Sequence, residues 1–441
     1  MRAEAILRIL AWFVVLVLVG AAVFLWLARR PAIPENPSAA SQAFPAATIA
    51  RGADLAAVGN CVACHTKPGE PAFAGGLDIP TPFGEIYSTN ITPDPETGIG
   101  NWSLDAFRRA MREGVDRAGN HLYPAFPYDQ YTRVSDDDIA ALYAYLMTRP
   151  AVRREDTPNR LVFPLGFRPI LAGWKLLFLD KGELPPRDDK SDQWNRGAYL
   201  TEGLGHCAGC HTPRNAFGAL DDNRHFDGGE AEGWQAVALN ASNPAPVPWT
   251  QETLQQYLRQ GWNQTHGVAA GPMAEVTANL RFLPDADIEA MAVYLLDQMG
   301  SRAPRVTDRA DAPAGRGAEI YAATCAQCHD AGKPQPFGGL PLSQSTPVNA
   351  PHPQNVVNLV MFGLPPADGE AAPIMPGFGN ALNDADMVAL LGYLRARFSA
   401  APAWQGLDRI VGDTRSGRYR VTTLPANGIE RGPANVNAKG D

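Results

Sequence analysis

Basic charge is in short supply. Lys+Arg number 38 against 46 Asp+Glu, for a formal charge of −8, so the chain has nothing of the electropositive footprint of a nucleic-acid binder. Cysteine is scarcer still. Six Cys in 441 residues cannot make a disulfide-dense scaffold, and all six fall in pairs two residues apart. Beyond the first thirty residues no apolar run approaches the roughly 20 residues of a membrane span, so the body reads as one soluble mass. Phosphate loops, nucleotide fingerprints and nucleophile–base constellations are missing too. What remains is 45% hydrophobic and 19% charged residues, enough for packed domains. The length suggests two to four of them, at roughly 100–200 residues each.

The one long apolar run is Ile9 to Ala28, with Arg2 and Arg8 before it and Arg29 and Arg30 after it. At 1.5 Å per residue it reaches about 30 Å, the thickness of a bilayer's hydrocarbon core. Trp12 and Trp26 stand near its ends, where interfacial aromatics belong. A cleaved signal has a shorter apolar core, about 7–15 residues, and a small-residue cleavage site. Here Arg29-Arg30-Pro31 follow instead. Residues 1–30 therefore read as a retained anchor, with a cleaved signal as the alternative. The flanking charges nearly balance and do not orient it. Residues 31–48 (PAIPENPSAASQAFPAAT) have the composition of a tether.

The body repeats itself three times. Arg51-Gly52-Ala53 leads to CVACH at 61–65, Arg196-Gly197-Ala198 to CAGCH at 207–211, and Arg316-Gly317-Ala318 to CAQCH at 325–329. Three later segments also match: DDDIAALYAYL (136–146), DADIEAMAVYL (285–295) and DADMVALLGYL (384–394). Each opens with acidic residues that favour a helix N-terminus and continues with helical apolar spacing. Every unit thus predicts an opening helix, a Cys-pair loop, a variable middle and a closing helix. The expected units are 49–150, 191–299 and 315–400. Segments 151–190 and 300–314 would separate them, and 401–441 would form a polar tail.

A Cys-x-x-Cys pair can be half a zinc site, a redox disulfide or the attachment site of haem c. The next residue decides. His numbers only 8, so three His in three such places by chance is on the order of one in 10⁵. In haem c the two thiols add to the haem vinyl groups and the adjacent His reaches the iron. Cys61, Cys64 and His65, then Cys207, Cys210 and His211, then Cys325, Cys328 and His329 therefore predict three covalently bound haems. Zinc would need two further ligands per pair, and no Cys remains to supply them. Haem c is attached outside the bacterial cytoplasmic membrane, which puts the body in the periplasm and the N-terminus inside.

An electron-transfer haem commonly takes a Met as its second axial ligand, which raises its potential. Unit two offers Met273 in Gly271-Pro272-Met273, and unit three offers Met375 in Met375-Pro376-Gly377, in matching places before the closing helices. Unit one has Phe126 there, in LYPAFPY at 122–128, and Phe cannot ligate iron. Haem one is then five-coordinate or takes His121, Met111 or Met147.

These residues resemble the tri-haem cytochrome c subunits of membrane-bound bacterial dehydrogenases. The likeness spans roughly residues 45–400. It is carried by Asn90-Ile91-Thr92-Pro93-Asp94, Gly98 to Trp102, LYPAFPY, CHTPRN at 210–215, AAGPMAEV at 269–276 and MPGFGNALND at 375–384. The group includes the cytochromes of quinoprotein alcohol dehydrogenase and of flavin-dependent gluconate or sorbitol dehydrogenases. Similar cytochromes serve periplasmic molybdenum hydroxylases acting on aldehydes or N-heterocycles. The alcohol dehydrogenase cytochromes often carry Met at the place of Phe126, so that departure weakens the likeness to that branch and leaves the molybdenum branch a serious rival. The resemblance implies three tandem class I cytochrome c-like domains, mostly α, behind one transmembrane helix. Electrons would enter from a partner dehydrogenase and leave to ubiquinone or a terminal oxidase.

Two rival readings stand beside this one. A haem enzyme, peroxidase- or reductase-like, could use an open haem one with Arg108, Arg109 and Arg112 as distal charge; the plainer reading of that run is a solvated helix face. The apolar stretch Leu161–Leu179 could meet quinol at the membrane surface, or serve as an inter-domain or partner-docking helix.

Overall fold

The computed structural model describes residues 2–365 and 372–418. Its main helices, in chain order, are α1 (Arg2–Ala28), α2 (Ala46–Val58), α3 (Asp136–Met147), α4 (Ile170–Phe178), α5 (Asp192–Tyr199) and α6 (Pro272–Leu280). They continue with α7 (Asp285–Met299), α8 (Arg316–Thr324), α9 (Gln354–Phe362), α10 (Asp384–Phe398) and α11 (Leu407–Arg415). The architecture is mostly α. α1 is long and apolar enough to cross a membrane, and none of its apolar window is buried in the protein, in keeping with an anchor.

The sequence repeat reappears as three crossed helix pairs: α2 on α3, α5 on α7, and α8 on α10. The Gly of each Arg-Gly-Ala sits at the crossing. A Cβ added to Gly52, Gly197 or Gly317 would lie 2.0, 1.9 or 2.1 Å from the carbonyl oxygen of Ala141, Ala290 or Ala389. Only a residue without a side chain lets the two backbones approach so closely. The preceding Arg then closes the pair, with Arg51, Arg196 and Arg316 at 2.5, 2.8 and 2.7 Å from Asp138, Asp287 and Asp386. The acids read from sequence as helix openers therefore also clamp the two helices together. Ser135 and Asn383 cap α3 and α10 by accepting from the amides of Asp138 and Asp386.

Units one and two share one apolar core, in which Leu142, Leu200, Leu204, Phe226, Ile288 and Met291 are buried together. Unit three has its own, built from Tyr321, Met387, Leu390, Leu391 and Phe398. Its contacts with unit two include side-chain amides: Asn358 Nδ2 donates to Gly233 O (2.9 Å), and Asn355 exchanges bonds of 2.8 and 2.7 Å with the backbone of Gln235. Polar contacts of this kind are usual between separately cored domains.

The expected linkers are more tightly held than their composition suggests. Residues 151–190 fold back on unit one: Asn90 Nδ2 donates to Val152 O (2.7 Å), and Arg160–Leu161 adds a third antiparallel strand to the hairpin of Asp78–Thr81 with Gly84–Tyr87. The stretch Leu161–Leu179 is helical only over α4, since Pro164 and Pro169 keep the residues before them out of a helix. In the tether, Ile33 N and Asn36 N bond to Arg117 O and Asn101 O, and Ala39 is fully buried. Arg305 N and Arg309 N pin 300–314 to Pro246 O and Arg397 O. The tail begins with α11, whose Val411 enters the third core; its residues 419–441 lie outside those described.

Candidate haem c sites

Each Cys pair is spaced by one helical turn: Cys61–Cys64 is itself one, and Cys207 and Cys325 are the N-caps of the turns Ala208–His211 and Ala326–His329. On a helix, residues three apart share a face, so both sulfurs of a pair can address one planar group. The three His that follow share one hydrogen-bond pattern. Nδ1 of His65, His211 and His329 lies 2.7, 2.6 and 2.7 Å from the backbone carbonyl oxygens of Thr89, Val237 and Leu340. A carbonyl only accepts, so Nδ1 carries the proton and Nε2 keeps its lone pair for a metal. An oriented imidazole with a carbonyl behind it is the usual outer-shell arrangement of a metal-ligating His. Burial lowers the pKa of His65 and His211, which favours the neutral ligand form.

The thiols fit the same group. All six Cys are free of disulfides. Burial pushes Cys61 and Cys207 up to about 12, which favours the neutral thiol over the thiolate that zinc binding or redox exchange would use. Paired thiols followed by an imidazole with a free Nε2 are the donor set that a covalently attached haem requires.

Met273 lies in the first turn of α6, partly buried against the shared core. Gly271 before it has φ +56°, and a Cβ there would fall 2.4 Å from Trp234 Nε1, so glycine lets the indole close over this loop. Met375 exchanges backbone bonds with Leu364 (2.8 and 3.1 Å), which fixes it beside the end of α9. Gly377 and Gly379 follow because this segment passes the backbone of Met361 and Phe362 with no room for side chains. Phe126 is partly buried and stacks edge-on against Tyr131 at 5.2 Å.

The alternative ligands for unit one are engaged elsewhere. His121 is not an exposed loop residue: it is buried, with Nε2 at 2.8 Å from Ala28 O and Nδ1 at 3.0 Å from Lys175 Nζ. Both nitrogens serve the joint where α1, unit one and α4 meet. Met111 and Met147 are buried in the apolar core. The arginine run is structural as well. Arg108 pairs with Asp105 (2.6 Å), Arg109 donates to Pro31 O (2.7 Å), and Arg112 holds Asp136 and Glu183 (2.8 and 2.6 Å).

Two features at the junction of units one and two escaped the sequence reading. His206, directly before Cys207, stacks edge-on against Tyr131 at 5.6 Å, so an aromatic chain Phe126–Tyr131–His206 joins the loop of unit one to the Cys-pair turn of unit two. His206 has φ +38°, held by its Nδ1 bond to Leu204 O (2.8 Å). Close by, the buried Glu202 is bonded by Tyr294 Oη (2.5 Å), His225 Nε2 (2.8 Å) and Arg133 of unit one (2.8 Å). Burial opposes its ionisation, but these partners outweigh burial and hold its carboxyl below the usual 4.5. Neither feature has a local signature, since the contacts that close them, Tyr131 with His206 and Glu202 with His225, join residues 75 and 23 apart in sequence.

Comparison with known proteins agrees with this chemistry. Residues 49–150 match the family "Cytochrome c", and residues 312–394 match "Cytochrome C oxidase, cbb3-type, subunit III". The chain is 45% identical to a nicotinate dehydrogenase subunit of Pseudomonas putida over 86% of its own length, but covers only 33% of that relative. It is 35% identical to the fructose dehydrogenase cytochrome subunit of Gluconobacter japonicus, over 86% of this chain and 84% of the relative. The gluconate 2-dehydrogenase cytochrome c subunit of Pantoea cypripedii is 38% identical, over 79% and 85%. With its Cys-pair turns, oriented imidazoles and near full-length likeness to such subunits, the chain belongs to the cytochrome c subunits of membrane-bound bacterial dehydrogenases.

Proposed function

We propose that the chain is a membrane-anchored, periplasmic tri-haem cytochrome c, built as three tandem class I cytochrome c-like domains. It takes electrons from a partner dehydrogenase and delivers them to an acceptor at the membrane. The observation that carries this reading is the threefold recurrence of one arrangement: a Cys-pair turn whose His gives Nδ1 to a backbone carbonyl. Haem c, when bound, supplies one-electron chemistry at its iron. The residues' part is to hold, orient and shield. Cys61 and Cys64, Cys207 and Cys210, and Cys325 and Cys328 would hold the three haems covalently. His65, His211 and His329 would each present Nε2, with Met273 and Met375 as second axial ligands in units two and three. Held by both His and Met, a haem in those units would serve outer-sphere transfer rather than substrate chemistry. Phe126 leaves unit one distinct, and the pairing of Arg108, Arg109 and Arg112 with other partners speaks against a haem-enzyme role there.

For the partner we favour a molybdenum-dependent hydroxylase of aldehydes or N-heterocycles. The 45% identity to a nicotinate dehydrogenase subunit and Phe126 in place of Met support that branch. For the acceptor we favour ubiquinone. A mostly apolar cleft of about 1,140 Å³, lined among others by Ile79, Phe83, Leu165, Trp174 and Cys210, opens beside α4, which packs against α1. The test is a mild-detergent pull-down from native membranes, with mass spectrometry of the partner and a haem count per chain. A molybdopterin and iron–sulfur partner with three haems supports the proposal. A quinoprotein or flavoprotein partner would move the chain to the alcohol or polyol branch. Recovery alone, with peroxidase activity, would overturn the electron-transfer reading.

A further inference from the structure

Outside the haem turns, the largest unexplained feature is an apolar surface around α4. Phe163, Leu176, Leu177 and Phe217 are 96%, 86%, 71% and 66% exposed, and Phe167 is exposed beside them. Contiguous exposed apolar surface on a folded protein marks an interaction site. The residues belong to one assembly: Trp174 Nε1 donates to Phe217 O (2.9 Å), and Phe178 stacks between the rings of Trp174 and Phe217 at 5.3 and 5.9 Å. α4 reads ILAGWKLLF, and its one charge, Lys175, is turned inward, with Nζ at 2.5 Å from Gly114 O and 3.0 Å from His121. Its outward face is uncharged.

The position of this surface names its occupant. α4 packs against α1, where a Cβ on Gly173 would lie 3.7 Å from the Phe24 ring. Phe24 is four residues before the end of α1, which puts the contact about 6 Å inside the apolar span. Helices that lie in a bilayer interface sit at about 5–10 Å depth. The same joint is rigid, because His121 Nε2 holds Ala28 O at 2.8 Å and fixes the foot of α1 to unit one.

We propose that α4, with Phe163, Phe167 and Phe217, is a second, monotopic membrane contact that lies in the headgroup–acyl boundary beside α1. This rests on the anchored reading of α1 given above. Through α1 alone, helix and body would remain free to tilt together in the bilayer. With α4 also seated, unit one and the adjoining cleft face the bilayer in one orientation.

Spin labels report depth directly. Single variants Leu16→Cys on α1, Leu176→Cys on α4 and Asp188→Cys on the aqueous side are labelled in the full haem-loaded chain, with unsubstituted protein as the labelling control. They are reconstituted without a partner in nanodiscs of phosphatidylethanolamine and phosphatidylglycerol. For each label the ratio of collision rates with oxygen and with a nickel chelate is measured. The expected result is a ratio at 176 severalfold above that at 188 and below that at 16. A lipid-like ratio at 16 with an aqueous ratio at 176 overturns the second contact and leaves the anchor standing. Aqueous ratios at both positions overturn the anchor, and the second contact with it.

Discussion

Replacing Gly317 with Ala tests whether the third unit is an independent folding unit built on its helix crossing. The new methyl would start 2.1 Å from Ala389 O and 2.8 Å from Tyr393 Cβ, where ordinary contact is 3.4–4 Å. Both neighbours belong to α10, so relief requires α8 and α10 to part by about 1 Å. That opens the contact between Ile320 and Tyr321 on one side and Leu390 and Leu394 on the other, which is the centre of the third core. Overpacking costs about 1–3 kcal/mol, and a clash with helix backbone belongs at the upper end. For a unit of this size 1 kcal/mol moves the melting temperature about 4–8 °C, so 2–3 kcal/mol predicts a drop of roughly 10–20 °C. Calorimetry of the haem-loaded chain should show that drop in one transition only, because the core of units one and two is separate. Gly52→Ala, with a comparable clash at 2.0 Å from Ala141 O, should move the joint transition of units one and two instead. A Gly317→Ala shift below about 2 °C, or one that moves every transition together, would refute the reasoning.

Met375→Ala should lower the potential of the third haem by a sizeable fraction of the roughly 0.8 V that axial ligands span, leaving the others in place; a redox titration reads it. Phe126→Met should fill the second axial position of unit one. A carbon monoxide-induced spectral change in the reduced wild type should then vanish, and its persistence would argue that the loop does not face that iron. Glu202→Gln removes charge from the Tyr294–His225–Arg133 cluster and should cost about 2–3 kcal/mol at neutral pH. The folded carboxyl titrates below its ordinary 4.5, so its stabilisation is present above that pH and is lost as pH falls through the folded value. Denaturant melts near pH 7 and near pH 3 should therefore show the gap between wild type and variant closing on the acid side. A constant gap would count against an ionised Glu202.

What the sequence determined alone was whatever chemistry is local or repeated. A His after every Cys pair, a Met beside Pro and Gly before two closing helices, and Arg-Gly-Ala before each pair are legible because a few adjacent residues carry them. Twenty uncharged residues likewise suffice to read α1, since spanning length is a property of one segment. The tertiary structure decided what depends on residues distant in the chain. Only folding gives the His after each Cys pair its carbonyl partner, as backbone oxygens have no sequence signature. Only folding turns His121, one of the ligand candidates for unit one, into the clasp that holds the foot of α1, because its partners lie 93 and 54 residues away. The fusion of units one and two into one core, with unit three apart, follows the same logic. The repeat marks three similar pieces, but which of them share a core is set by side chains gathered from positions more than a hundred residues apart, such as Val62 and Leu204 in the common core and none of those around Met387.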